Sequence, residues 1–207
     1  MEWDVFLAPY SQAVDELKIK LRGYRDFYEI ALKNSPIEFV TGRVKPVPSI
    51  LEKARRRGIP LDQLNTQMQD LAGIRVMCQF VDDIMKVVEM IRNRTDLNVV
   101  EEKDYIKEKK KSGYRSYHVV VQYPVQTITG EKKILAEIQV RTLAMNFWAT
   151  IEHSLNYKYK GNIPTDVKVR LLRAAEAAFR LDEEMSQIRE EILIAQQHFS
   201  QKNADEE

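Results

Sequence analysis

Residues 132–141 read KKILAEIQVR. Ile134, Ala136, Ile138 and Val140 alternate with Leu135, Glu137, Gln139 and Arg141. A period of two places successive side chains on opposite faces of a β-strand. Two other stretches repeat the pattern. In 73–80, GIRVMCQF, Ile74, Val76, Cys78 and Phe80 oppose Arg75, Met77 and Gln79. In 114–123, YRSYHVVVQY, Tyr117, Val119 and Val121 oppose Ser116, His118 and Val120. Gly130, between Thr129 and Glu131, marks a hairpin turn into the 133–141 strand. Laid side by side, the strands gather Arg75, His118, Glu137, Gln139 and Arg141 on one face. A sheet covered on both sides is apolar on both. A face with acid, base and imidazole therefore lines either solvent or a ligand.

Helical spacing frames these strands. Tyr10, Val14, Leu17, Leu21, Tyr24 and Tyr28 recur at 4-3-4-3-4 and predict an amphipathic helix that ends by Pro36. The segment 41–49, TGRVKPVPS, carries one glycine and two prolines and predicts irregular structure. Ser49 reads as the N-cap of a short basic helix, Ile50 to Gly58. A helix over 83–92 and a strand near 97–100 follow. Residues 143–159 read as a helix with aromatics and with His153, taken as a core histidine; Gly161 and Pro164 break it. Thr165 or Asp166 opens a long helix whose stripe is Leu171, Ala174, Ala178, Leu181, Met185, Ile188, Ile192, Ala195 and Phe199. At about 1.5 Å per residue that rod exceeds roughly 40 Å. One small domain cannot bury it, so the stripe predicts cover by another helix or another subunit.

Composition narrows the function. Among 207 residues, 32 are basic and 31 acidic, a formal net charge of +1, which excludes a polybasic binder and makes any anion site a local cluster. A lone cysteine, Cys78, excludes an intrachain disulfide and multi-cysteine metal sites, and fits a reducing, cytoplasmic setting. The start, MEWD, is acidic where a signal peptide is basic. No apolar run approaches the roughly 20 residues a membrane span needs.

Candidate chemistry gathers around two carboxylates. Asp70 precedes the 73–80 strand and Glu137 sits mid-strand on the polar face. Carboxylates from neighbouring strands suit Mg²⁺, a hard cation that leaves positions for water and phosphate. One basic cluster is Arg43, Lys45, Lys53 and Arg55 to Arg57; the other is Lys107, Lys109 to Lys111 and Arg115, interleaved with Gly113, Tyr114 and Tyr117. Cations meet phosphates and a ring stacks on a base. A solvated loop explains the lysine run equally well. Neither GxxxxGK[ST] nor GxGxxG occurs, and none of His118, His153 and His198 is followed by Asp.

Five motifs in order, GRVKPVPSILEKARRRG, QDLAGIRVMCQF, KKKSGYRSYHVVV, EIQVRTLAMNFWATIEH and NYKYK, resemble the synthetase domain of RelA/SpoT homologues. The likeness covers about 36–160 and is closest to the small single-domain alarmone synthetases of the RelQ type. It implies an α+β fold: a mixed five-stranded sheet flanked by helices, related to the nucleotidyltransferases. One synthetase domain would span 1–207, with its catalytic core at 36–160 and helical oligomerisation segments at 3–32 and 165–200. The implied reaction moves the β,γ-pyrophosphate of ATP to the 3′-hydroxyl of GDP or GTP, giving ppGpp or pppGpp and AMP. Without a His-Asp dipeptide or room for a hydrolase domain, synthesis alone is expected.

The resemblance also implies roles. Asp70 and Glu137 would hold Mg²⁺, and Glu137 would take the hydroxyl proton. Arg43, Lys45, Ser49, Lys53 and Arg75 would bind ATP, with the two arginines sandwiching adenine and Lys45 neutralising the transferred group. Tyr114 would stack on guanine, Lys110 and Lys111 would meet the acceptor phosphates, and His118 would bind phosphate or orient the ribose. Gln139 and Asn146 would support the acceptor. Ser112 and the GYRSYH run depart from the Asn and GYQSLH of long family members and leave the GDP/GTP preference open. The branch implies a homotetramer with an alarmone-binding cleft between subunits, for which Lys18, Arg22, Arg25, Phe39 and Thr41 are candidates. It also implies possible single-stranded RNA binding. The rival readings are a nucleotidyltransferase that releases pyrophosphate and an RNA-binding regulator.

Overall fold

The computed structural model describes residues 2–32, 34–159 and 163–205. In chain order the elements are α1 (Trp3–Leu32), β1 (Phe39–Val44), α2 (Val47–Arg57), a single turn at Leu61–Gln63 leading into α3 (Leu64–Gln67), β2 (Ala72–Cys78), α4 (Val81–Arg92), β3 (Asn98–Asp104), β4 (Tyr117–Thr127), β5 (Gly130–Thr142), α5 (Leu143–Lys158) and α6 (Thr165–Asp205). The strands form one mixed sheet in the order β1-β2-β5-β4-β3. The β2–β5 pair is parallel and the other pairs are antiparallel. The expected five-stranded α+β architecture is the one found.

The apolar sides of the strands meet α1 and α4 in a single core. Ile74, Val76, Val119, Val121, Ala136, Ile138 and Val140 pack there with Val14, Leu17 and Leu21 of α1 and Ile84, Val87, Val88 and Ile91 of α4. The opposite face carries the polar alternates. Thr41 pairs with Arg75, Arg43 with Gly73, Gly73 with Glu137, Arg75 with Gln139, and Gln139 with His118. Because side chains alternate, one register delivers all of them to one surface.

Four readings of the sequence are corrected here. Residues 41–44 are strand, not irregular structure. Gly42 lets β1 run beneath α1, since a Cβ there would lie 2.8 Å from Ile74 Cδ1 and 2.9 Å from Val14 Cγ1. The prolines fall after the strand, and it is Pro46, not Ser49, that caps α2, with a proline in its first turn where the missing N–H costs nothing. Tyr114 lies outside the strand, for β4 begins at Tyr117 and Tyr114 follows Gly113, whose φ is +89°. His153 is exposed rather than in the core.

The long helix meets the chain with a mixed face, on which Phe179 and Ala178 pack against the buried clusters. Ala175, Asp182 and Ser186 are buried. Thr142 Oγ1 donates to Asp182 at 2.5 Å, Val81 N donates to Ser186 Oγ at 3.3 Å, and Arg189 Nη1 meets Asp83 Oδ2 at 2.8 Å. These contacts fall at the starts of α4 and α5, where polar groups require partners. Leu181, Ile192 and Phe199 of the predicted stripe remain 56%, 53% and 68% exposed.

Candidate active site

A cleft of about 270 Å³ opens on the polar face, lined in part by Arg43, Lys45, Asp70, Arg75, Glu137 and Gln139. Thr41, a candidate above for an intersubunit cleft, is among the residues lining this one. Asp70 ends the turn before β2. Its Oδ2 accepts from Lys45 Nζ at 3.1 Å and from Lys53 Nζ at 2.8 Å. Lys45 leaves β1 and Lys53 sits in α2, so the turn at Pro46 brings both ammonium groups onto one carboxylate. Burial alone would raise the Asp70 carboxyl; the two lysines override it and hold it below the usual range.

Glu137 stands at the centre of a closed hydrogen-bonded ring. Its Oε1 lies 3.0 Å from His118 Nδ1, and His118 Nε2 lies 2.8 Å from the Tyr114 hydroxyl. Arg141 Nη2 donates to that hydroxyl at 2.6 Å and also to Gln139 Oε1. Gln139 Nε2 donates to Glu137 Oε2 at 2.6 Å. His118 thus bridges the Glu137 carboxylate, through Nδ1, and the Tyr114 hydroxyl, through Nε2. Burial would raise Glu137, but the hydrogen bond and charge of His118, with Gln139, bring it down to about 2. It is thus an ionised carboxylate at neutral pH. Arg75 is shifted down by burial and by the charges of Arg141 and Arg43, which outweigh the opposing pull of Tyr114 and Glu137.

The loop before β4 closes one side. Lys110 Nζ sits 4.3 Å from the Tyr105 ring centre and 4.8 Å from that of Tyr114, while the Tyr105 ring lies edge-on to His118 at 5.1 Å. Tyr105 was not singled out from the sequence. Its only signal is an aromatic ring two residues before the lysine run. That run is not a free basic strip: Lys109 pairs with Glu176 and Lys107 with Asp104.

The remaining candidates scatter. Lys111 lines a separate cavity with Lys168 and Leu172. Ser49 is half-buried on α2, outside the residues lining the cleft. Asn146, on α5, buries an Oδ1 that has no partner among the described residues. On α1, Lys18 pairs with Asp15, Arg25 with Asp26, and Arg22 donates to Val40 O. Phe39, at the start of β1, is exposed.

The residues suit a divalent cation only in part. Asp70 Oδ1 is buried and unbonded, an acceptor in want of a partner. No group of three or more His, Cys, Asp or Glu side chains assembles among the described residues. Two carboxylates with an open side fit Mg²⁺, which completes its octahedron with phosphate oxygens and water.

A helix-flanked mixed sheet, with carboxylates, lysines and arginines facing one cleft and a basic aromatic loop at its side, defines an α+β enzyme built for phosphorylated nucleotides. Residues 42–162 match the region found in RelA/SpoT proteins, and the chain belongs to that family. It is 66% identical over 206 residues to the GTP pyrophosphokinase YjbM of Bacillus subtilis, covering 100% of this chain and 97% of that protein. The crystal structure of small alarmone synthetase 1 from Bacillus subtilis bound to its product pppGpp superposes with a TM-score of 0.89 at 68% identity, over 92% of this chain and 98% of that one. The same enzyme bound to AMPCPP gives 0.82 at 64% identity, over 93% and 98%.

Proposed function

We propose that this enzyme transfers the β,γ-pyrophosphate of ATP to the ribose 3′-hydroxyl of GDP or GTP, forming ppGpp or pppGpp and releasing AMP. One observation carries the reading: Glu137 belongs both to the cleft lined by Arg43, Lys45, Asp70 and Arg75 and to the ring containing His118 and Tyr114. A donor on one side and an acceptor on the other would meet at that carboxylate. The pppGpp and AMPCPP complexes of the Bacillus subtilis relative support the same pair of ligands.

On the donor side, Arg43 and Arg75 are diagonal neighbours across the β1–β2 pair. Diagonal positions lie about 7–8 Å apart, room for one aromatic ring stacked on both faces. Lys45 and Lys53 neutralise phosphate charge and hold Asp70 ionised. Asp70 and Glu137 would hold Mg²⁺, which supplies charge neutralisation on the donor phosphates when bound. On the acceptor side, Tyr114 stacks on guanine after releasing Lys110 from its ring, and Lys110 turns to the phosphates. His118 orients the ribose against Glu137. Glu137 takes the 3′-hydroxyl proton, that oxygen bonds to the β-phosphorus, and the bond from it to the α-phosphate oxygen breaks, so AMP leaves.

The outer surface supports an assembly of several copies, for which a homotetramer is our reading. Val5, Ile19, Phe27 and Ile30 of α1, Phe147 and Ile151 of α5 and the α6 stripe expose apolar side chains. No helix of the described residues is long and apolar enough to cross a membrane.

The test is direct. Purified chain, ATP labelled at the γ-phosphate, Mg²⁺ and GDP or GTP should yield AMP and a labelled guanosine nucleotide resolved by chromatography. Label appearing in free pyrophosphate in its place would make the enzyme a nucleotidyltransferase of the other kind.

A further inference from the structure

The inner face of α6 grips the loop that carries Tyr114. Gly113 is the closest approach: a Cβ there would lie 2.6 Å from Ala175 Cβ and 3.1 Å from Leu172 Cδ1. Two residues on, Arg115 is 7% exposed and its guanidinium lies 3.6 Å from the centre of the Phe179 ring. Glu176, one turn of helix from both Leu172 and Phe179, joins the loop at two points. Its Oε1 meets Lys109 Nζ at 2.6 Å and its Oε2 meets Arg115 Nη2 at 3.1 Å. Arg115 has no other ionic contact within bonding distance, and its Nε and Nη1 are buried without a hydrogen-bond partner among the described residues. Among the described residues Glu176 is therefore the one carboxylate within bonding distance of a buried arginine, and it pins both ends of the 109–115 turn at once.

We propose that Glu176 is a positioning residue for the acceptor nucleotide: by clamping Lys109 and Arg115 it holds Tyr114 and Lys110 at the edge of the cleft. The proposal rests on the reading that Tyr114 contacts guanine. It gives α6 a second duty, because the same helix exposes the Leu181–Ile192 stripe on its outer side. Glu176 touches neither the donor cleft nor Glu137, so its loss acts on one substrate alone.

The test uses the full chain with Glu176→Gln, beside Tyr114→Ala as the reference for the acceptor site. In Glu176→Gln the KM for the guanine nucleotide should rise roughly three- to tenfold, the scale of losing a charged hydrogen bond at a partly exposed site. The KM for ATP and the solution mass should stay unchanged, and amide exchange should quicken in 107–116 more than elsewhere. Lys109→Gln, which removes one arm of the clamp, should give a smaller rise in the same constant. An unchanged acceptor KM in Glu176→Gln alongside a raised one in Tyr114→Ala overturns the clamp and spares the acceptor reading. A parallel rise in both KM values, with exchange quickened throughout, overturns it as a general stability effect. An unchanged acceptor KM in Tyr114→Ala overturns the acceptor reading and the clamp with it.

Discussion

Replacing Glu137 by Gln isolates its charge. The amide keeps the shape of the side chain and can still accept from His118 Nδ1; its NH2 then faces the Gln139 amide that donated to the carboxylate, so the ring of Glu137, His118, Tyr114, Arg141 and Gln139 loses that one bond and keeps the others. What disappears is the only ionised oxygen pair shared by the donor cleft and the ring. General-base assistance contributes typically about 10²–10⁴-fold. At 1.36 kcal/mol per decade this is about 3–5 kcal/mol of barrier. The expected result is a kcat lower by that factor, with KM values for ATP and the acceptor within about threefold, because both base stacks, Lys45 and Lys53 stay in place and Asp70 is left to hold the cation. Steady-state kinetics with separate titration of the two nucleotides would measure this, and equilibrium binding of a non-hydrolysable ATP analogue would check the ground state. Sign matters for pH as well. Burial opposes ionisation of Glu137, yet His118 and Gln139 hold its carboxyl at about 2 against an ordinary 4.5. The charged form is therefore complete through the neutral range, and activity should not fall through loss of Glu137 until pH drops below the ordinary carboxylate range. A variant retaining more than about a tenth of the wild-type kcat would remove Glu137 from the proton step, since that loss lies below the whole range for a general base.

Other outcomes can be stated briefly. Tyr114→Ala should weaken guanine-nucleotide binding by about 1–3 kcal/mol, the scale of one base stack, measured by calorimetry; unchanged affinity would refute the stack. Burial pushes the Asp182 carboxyl up to about 6 from an ordinary 3.8. A buried acid with a raised value loses stability as pH rises through that interval, because the unfolded chain releases the proton first. Asp182→Asn keeps an acceptor for Thr142 and should stabilise the fold above pH 6 by up to about 3 kcal/mol, or roughly 6–12 °C in Tm, with the gain fading as the pH falls toward 3.8. A pH-independent shift in calorimetry would contradict this. Leu181→Asp with Ile188→Asp should lower the solution mass by light scattering without unfolding α6, since both side chains face outward; an unchanged mass would show that this stripe is not an interface.

Much of the sheet was legible because a strand's period of two is written into adjacent residues. Ile134 to Arg141 and Ile74 to Cys78 each showed which side chains would face the core. Segment 41–44 was not legible: Gly42 and the prolines beyond it read as breakers, and only the approach of α1 explains why a residue without a Cβ is needed inside a strand. The α6 stripe is apolar, yet Leu181, Ile192 and Phe199 face outward, while the side meeting the chain mixes Ala175 and Phe179 with Asp182 and Ser186. Sequence periodicity reports that a helix has two faces; it does not report which neighbour each face meets.

Among the site residues, Asp70 and Glu137 were visible as acids beside strands, but their sharing of a cleft required the parallel register of Gly73 with Glu137. Tyr105, the split of Lys110 from Lys111, and the grip of Glu176 on Arg115 lay beyond pattern reading. The amino-acid order alone determined the strand faces, the helix stripes and the inventory of acids, cations and rings. Tertiary structure alone decided which of them stand together. The reason is physical: alternation and helical pitch are local properties of a backbone, whereas a contact such as that between Arg115 and Glu176 depends on how elements 61 residues apart pack against one another.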